Sequence, residues 1–430
     1  MRHFDKYLIC SFAVLLLAGC GEKVVDESPV KPDDKDDSYT YTKYENPVIR
    51  NNCADPSVID DRERTGYFYA YSTQNGDNGS DKCVYLPVYR SRDMVNWELV
   101  GNAFGGLKRP TWVDGTRVWA PDIEYIDGRY VLYYALGSMT DADRSACGVA
   151  VSDKPEGPFT WENIQSLNPL ANEHGMLTDM ATQGISNNID ANIVRDRKTG
   201  DLYLFWGSYG SNSGVWARKL TDDGLALDPS GEKTFIAKEM EGTYVHFKDN
   251  YYYCFGSKGS CCAEGKSTYH IVVGRSQNIL GPYIGRDDKA MTEAAFDNSK
   301  NWIMSNPTTL SFAGTGHNAE IITDDLGRDW MCYHAYWKGN KYNGRCMNMD
   351  QVIWGDGWPG FRNGHPSDGK IDGPTWKRTD TKAEAPLVEN DGAEALLETG
   401  DPCSCRNTWE LSEESKKFNF NDMMLYEQNM

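Results

Sequence analysis

The sequence predicts an all-β chain folded as a five-bladed β-propeller, preceded by an export signal and followed by a short C-terminal extension. Two observations carry this reading. An aromatic strand follows a turn five times along the chain, and just upstream of each turn stands a short segment bearing a polar residue. Composition agrees: 13 Trp, 25 Tyr and 41 Gly suit short strands, tight turns and aromatic-lined clefts better than a helical bundle.

The strands come in order. Thr65-Gly66 leads into Tyr67-Phe68-Tyr69-Ala70-Tyr71, and Asp127-Gly128 leads toward Tyr130-Val131-Leu132-Tyr133-Tyr134. Thr199-Gly200-Asp201 precedes Leu202-Tyr203-Leu204-Phe205-Trp206, and Asp249-Asn250 precedes Tyr251-Tyr252-Tyr253-Cys254-Phe255. Leu326-Gly327-Arg328 introduces the fifth, Trp330-Met331-Cys332-Tyr333-His334. Each is turn chemistry followed by β-favouring residues, the signature of a hairpin. A third strand follows in most copies, as in Cys147-Gly148-Val149-Ala150-Val151 and Tyr269-His270-Ile271-Val272-Val273. Five such units closed in a ring leave only short, protected edges, whereas a two-sheet sandwich would not require one motif five times.

The flanks read differently. Polar, basic residues 2–6, an apolar run at 8–17 and then Leu17-Ala18-Gly19-Cys20 look like a signal peptide (1–19) ending in a bacterial lipobox, with Cys20 lipidated after cleavage. The run is too short to span a bilayer comfortably. Residues 20–45, with Pro29, Pro32 and the acidic stretch 33–37, lack apolar periodicity and are expected to be a solvated tether. The propeller occupies 46–373, and 374–430 form an extension without a usable motif. The expectation is an exported monomer anchored to the cell envelope. Ten of the 12 cysteines lie in the exported body, where disulfides are permitted; pairing does not follow from spacing, and buried thiols are equally compatible.

Across 430 residues, 44 Lys and Arg against 63 Asp and Glu give a net charge of −19, which excludes a nucleic-acid partner and favours a neutral or cationic ligand.

The upstream segments are the informative part. They read Ala54-Asp55-Pro56-Ser57-Val58, Ala120-Pro121-Asp122-Ile123, Ile189-Asp190-Ala191-Asn192-Ile193, Glu241-Gly242-Thr243-Tyr244-Val245 and Gly316-His317-Asn318-Ala319-Glu320. As innermost strands of a ring they meet around the axis, bringing Asp55, Asp122, Asp190, Glu241 and His317 to one end of the channel. Desolvation and like charge both raise carboxylate pKa values, so one group of such a set can stay protonated while another stays ionised. Cleavage of a glycosidic bond uses that division of labour. A ring of this kind could also bind a cation or a sugar without catalysis.

These residues resemble glycoside hydrolase family 43 and, within it, the endo-arabinanases, from about residue 46 to about residue 360. The similarity is most specific over 251–283, with Cys261-Cys262, Lys266-Ser267-Thr268-Tyr269, Val273-Gly274-Arg275-Ser276 and Gly281-Pro282-Tyr283. Trp119-Ala120-Pro121-Asp122-Ile123, Gly316-His317-Asn318 and Gly357-Trp358-Pro359 also match. The resemblance implies single-displacement hydrolysis of α-1,5-linked L-arabinan with inversion. In it Asp55 is the general base, Glu241 the general acid, and Asp190 the carboxylate that orients the acid and tunes its pKa. It implies a cation, usually calcium, near His317, and no organic cofactor. Trp119, Asp122, Ser208 and Tyr209 are candidates for the sugar groove, with core packing open for the aromatics and a structural role for Asp122; His334 reads as core. An exo-acting arabinofuranosidase or β-xylosidase, or a surface glycan-binding lipoprotein, are the alternatives.

Overall fold

The computed structural model describes residues 36–76, 83–106, 108–210 and 214–378; the signal peptide, Cys20, the first part of the tether and the extension from 379 lie outside the described residues. The chain forms a five-bladed propeller whose blades are antiparallel sheets of consecutive strands. The first blade holds β2 (Ser57–Asp60), β3 (Phe68–Tyr71), β4 (Pro87–Ser91) and β5 (Trp97–Asn102). The second holds β6 (Arg117–Ile126), β7 (Arg129–Gly137), β8 (Ala146–Ser152) and β9 (Met176–Asp179). The third holds β10 (Asn192–Arg195), β11 (Leu202–Trp206), β12 (Val215–Lys219) and β13 (Thr234–Ala237). The fourth has three strands, β14 (Glu241–Lys248), β15 (Tyr251–Lys258) and β16 (His270–Ser276). The fifth is β17 (Phe312–Thr323), β18 (Asp329–Trp337), β19 (Arg345–Gly355) and β20 (Trp358–Phe361).

The repeated aromatic segments are the second strand of every blade. A second strand has a neighbour on each side and a blade stacked on each face, so nearly every position of β3 and β7 is buried. Their side chains fill the wedges between blades: Tyr69 and Tyr71 pack with Val118, Ile123 and Tyr134 of the next blade. Phe68 and Ala70 pack with Ala319, Ile322 and Trp330 of the last blade. Large rings suit a wedge that widens away from the axis.

The ends of the chain close the ring together. Residues 39–44, expected in the tether, instead form strand β1 (Tyr39–Tyr44), paired antiparallel with β21 (Ile371–Lys377), so that 374–377 also belong to this clasp and not to the extension. The sequence YTYTKY offers alternation but little apolar signal, because its partner lies more than 300 residues away. Tyr44 donates to the Met349 carbonyl at 2.8 Å in the last blade. The Trp376 ring packs at a tilt 4.7 Å from that of Phe68 and donates to the Asp93 carbonyl at 3.0 Å in the first.

Among the described residues all eight cysteines are free thiols, and six are buried within the blades, where a thiol serves as a small hydrophobe.

Candidate active site

Each innermost strand carries, within it or two residues ahead of it, a residue in the left-handed region: Asp55 (φ 51°), Ala120 (33°), Asp190 (58°), Gly242 (57°) and His317 (45°). Ladder register breaks at this place in β6, β14 and β17. Such a local break re-aims a side chain off the sheet, here toward the axis, at a backbone cost that clusters at functional sites. At Gly242 the reason for glycine is direct, since a Cβ there would stand 2.9 Å from the His317 ring.

This register corrects one expectation. Asp55-Pro56 aligns with Ala120-Pro121, so Asp122 is not the counterpart of Asp55 but of Ser57, two residues further along the strand. There it belongs to a second tier, a closed circuit of side chains that each accept a backbone N–H from the next blade. Ser57 Oγ accepts from Ile123 (3.2 Å), Asp122 Oδ2 from Ile193 (2.7 Å) and Asn192 Oδ1 from Val245 (3.1 Å). Tyr244 Oη accepts from Ile321 (3.1 Å), and Glu320 Oε2 closes the circuit by accepting from Val58 (2.5 Å). Burial, then Glu320 and Glu124, hold the Asp122 carboxyl well above the usual range. Asp122 thus joins blades rather than lining the upper tier.

The upper tier brings Asp55, Asp190, Glu241 and His317 together. Asp55 is 7% exposed, and its two oxygens differ. Oδ1 lies 2.7 Å from Arg345 Nη1 and 3.1 Å from both His317 Nδ1 and His334 Nδ1. Oδ2 accepts one hydrogen bond, from Thr73 Oγ1 at 2.6 Å. The same Thr73 oxygen accepts the Ala120 N–H at 2.9 Å, which turns its own hydrogen toward Asp55. Burial alone would raise the Asp55 pKa, but Arg345 and His317 overcome it and hold the carboxyl well below the usual range, so Asp55 is ionised.

Glu241 opens β14. Its Oε1 accepts from Tyr269 Oη at 2.9 Å, and its Oε2 makes a short hydrogen bond with Ser208 Oγ. A hydroxyl both donates and accepts, so Ser208 can serve Glu241 ionised or protonated. Asp190 Oδ2 accepts the N–H of Gly242, the residue after the acid candidate, at 3.0 Å. Burial, with Glu241 and Asp55 adding like charge against the opposing His317, pushes Asp190 up to about 7.

Other expected residues fall nearby. Ser208 touches Glu241 directly. Tyr209 donates to the Ser257 carbonyl at 3.2 Å, and Ser257 is the ladder partner of Glu241. The half-buried Trp119 lies across the backbone of Gly137, where a Cβ would come within 1.9 Å of its ring. Sequence reasoning missed Thr73, Tyr269 and Arg345. His334 is buried as expected of a core residue, yet it contacts Asp55. All three of Asp55's charged or imidazole partners come from the last blade, so no local pattern around Asp55 announces them.

Asp55, His317 and His334 each offer a ligand atom within 4.8 Å of one another, so this group could hold a metal ion. Two imidazoles and one carboxylate oxygen already beside Arg345 do not supply the six to eight oxygens that calcium takes; a calcium ion here would draw most of its ligands from water.

His317 carries a testable consequence. Burial opposes its charge, but Asp55, Asp190 and Glu241 prevail and raise it from 6.5 to about 9. The folded state then holds a proton that the unfolded state has lost, so this stabilisation is complete below pH 6.5 and vanishes as pH rises through 9. The melting temperature is expected to fall across that window, and His317→Gln to flatten the fall. Equal slopes in calorimetric scans of both proteins would contradict it.

Fold and site together define a propeller with a cluster of carboxylates and imidazoles on its axis. The chain belongs to glycosyl hydrolase family 43, whose family model matches residues 44–359. It is 30% identical over 322 residues to the extracellular exo-α-(1→5)-L-arabinofuranosidase ArbA of Cellvibrio japonicus, covering 68% of this chain and 82% of that one. It is 26% identical over 343 residues to the extracellular endo-α-(1→5)-L-arabinanase 2 of Bacillus subtilis, covering 71% and 69%. Among solved structures it is similar to the Cellvibrio cellulosa α-L-arabinanase complexed with arabinohexaose, with TM-score 0.58, 27% identity, and coverage of 73% of this chain and 96% of that one.

Proposed function

We propose that this protein hydrolyses α-1,5-linked L-arabinan by single displacement with inversion, cutting within the chain. The observation that carries the reading is the convergence of Asp55, Asp190 and Glu241, from three different blades, with unlike partners. Asp55 Oδ1 is crowded by Arg345, His317 and His334, so Oδ2, bonded among the described residues to Thr73 alone, takes the proton from the attacking water. Glu241, oriented by Tyr269 and Ser208, delivers a proton to the leaving oxygen from the opposite face. Asp190 fixes the backbone at Gly242 and, in its ionised form, adds negative charge beside the acid. Inversion calls for base and acid carboxyls roughly 6.5–9.5 Å apart, with room for one water. Trp119 and Tyr209 flank the sugar groove. A calcium ion at His317, ligated mainly by water, would displace that residue's proton and supply positive charge near the base in its place; the proton transfers do not run through it. Lipidated Cys20 would hold the enzyme at the cell envelope.

The likeness to an exo-acting enzyme favours a second reading, release of single arabinose units. Incubation with debranched linear arabinan and chromatography of early products separates them. Mixed oligosaccharides support cutting within the chain and arabinose alone the exo reading, while an inert enzyme would sink both.

A further inference from the structure

We infer that His334 is a positioning residue for Asp55, whose main-chain N–H it holds through Nδ1 while its ring bears on the tyrosine that orients Glu241. The inference rests on the acid–base reading of those two carboxyls and concerns a residue outside the proton transfers themselves.

The left-handed turn at Asp55 (φ 51°) takes its N–H out of the strand ladder; the hydrogen is directed at His334 Nδ1, 3.2 Å away. The same Nδ1 stands 3.1 Å from Asp55 Oδ1, yet the main-chain hydrogen is the one aimed at it; a nitrogen that accepts cannot carry a hydrogen in the ring plane, so the inference places the imidazole proton on Nε2. The ring lies flat against Tyr269, with centroids 5.4 Å apart and planes within 8°. Tyr269 in turn donates to Glu241 Oε1 at 2.9 Å. One rigid side chain on β18 therefore touches the base candidate on its edge and, on its face, the residue that aims the acid candidate.

Core packing does not account for an imidazole here. His334 is 0% exposed, and its Nε2 is buried without a hydrogen-bond partner among the described residues. An unsatisfied buried polar atom is destabilising, a cost that a phenylalanine filling the same space would avoid. What phenylalanine cannot do is accept the Asp55 N–H. Without that bond the left-handed turn loses its anchor and the carboxylate its fixed position, and misplacement by about 1 Å costs of order 100-fold in rate.

The test compares His334→Phe, which keeps the ring stack without the acceptor, with His334→Asn, whose amide oxygen can replace Nδ1. On linear arabinan, or on whichever pentoside polymer the wild type cleaves, His334→Phe should lower kcat about 10- to 100-fold with KM little changed. His334→Asn should recover most of that loss. Wild-type kcat in His334→Phe, or equal losses in both variants, overturns the inference. Should His334→Phe not fold, the imidazole ¹⁵N spectrum of the intact protein decides: an unprotonated Nδ1 supports the inference and a protonated one overturns it. A wild type inactive on every pentoside polymer would instead strike the acid–base reading, and the ¹⁵N result would still stand on its own.

Discussion

Asp55→Asn is expected to lower hydrolysis by at least about 1,000-fold while the propeller stays folded. The amide keeps the shape of the side chain and can still meet Thr73 through its oxygen, so the local fold survives. What it cannot do is take a proton from water. The substitution also leaves the Arg345 guanidinium, 2.7 Å from Oδ1, beside a neutral group. Removing one partner of a largely buried ion pair costs about 3 kcal/mol, so thermal stability should drop measurably without reaching unfolding. Circular dichroism against temperature and turnover on linear arabinan, measured on the same preparation, separate the two effects. Near-normal turnover by the folded variant would remove Asp55 from the base role.

Glu241→Gln should be equally severe on the polysaccharide, by about 100- to 10,000-fold, but for a different reason that leaves its own signature. A sugar alkoxide is a poor leaving group and needs the proton; an acidic phenol leaves without one. The variant should therefore recover much of its activity on an aryl arabinoside with an acidic phenol, whereas Asp55→Asn should not, because water still needs a base. Comparing each variant on both substrates tests the assignment of roles. Equal recovery, or none in either, would mean that the two carboxyls do not divide the work as proposed.

The blades were legible because their signal is local. The aromatic runs at 67–71, 130–134, 202–206, 251–255 and 330–334 all fall on β3, β7, β11, β15 and β18. Turn chemistry and burial on both faces act within a few residues, and neither depends on the rest of the ring. The innermost segments were legible too, since Asp55, Asp190, Glu241 and His317 gather at one place. Asp122 was misplaced by two residues, although the shared proline of Asp55-Pro56 and Ala120-Pro121 would have set the register. The clasp strand β1, Arg345 and the contact of His334 with Asp55 were illegible, because each depends on pairing across almost the whole chain. The fourth blade also departs from the pattern. Its outer edge is finished by isolated bridges from Trp302 and Ile284 in place of a fourth strand, and its closing segment carries no strand-like alternation.

The clasp has a consequence for when the protein begins to work. Asp55 lies on the first blade made by the ribosome, and Arg345, His317 and His334 lie on the last. The surroundings of Asp55, the proposed base, are assembled across the seam that β1 and β21 fasten. A nascent or trimmed polypeptide with four finished blades would hold Asp190 and Glu241 in place and still be inert. Enzymatic turnover is thus a readout of the final stage of assembly, and refolding followed by activity should lag refolding followed by tryptophan fluorescence.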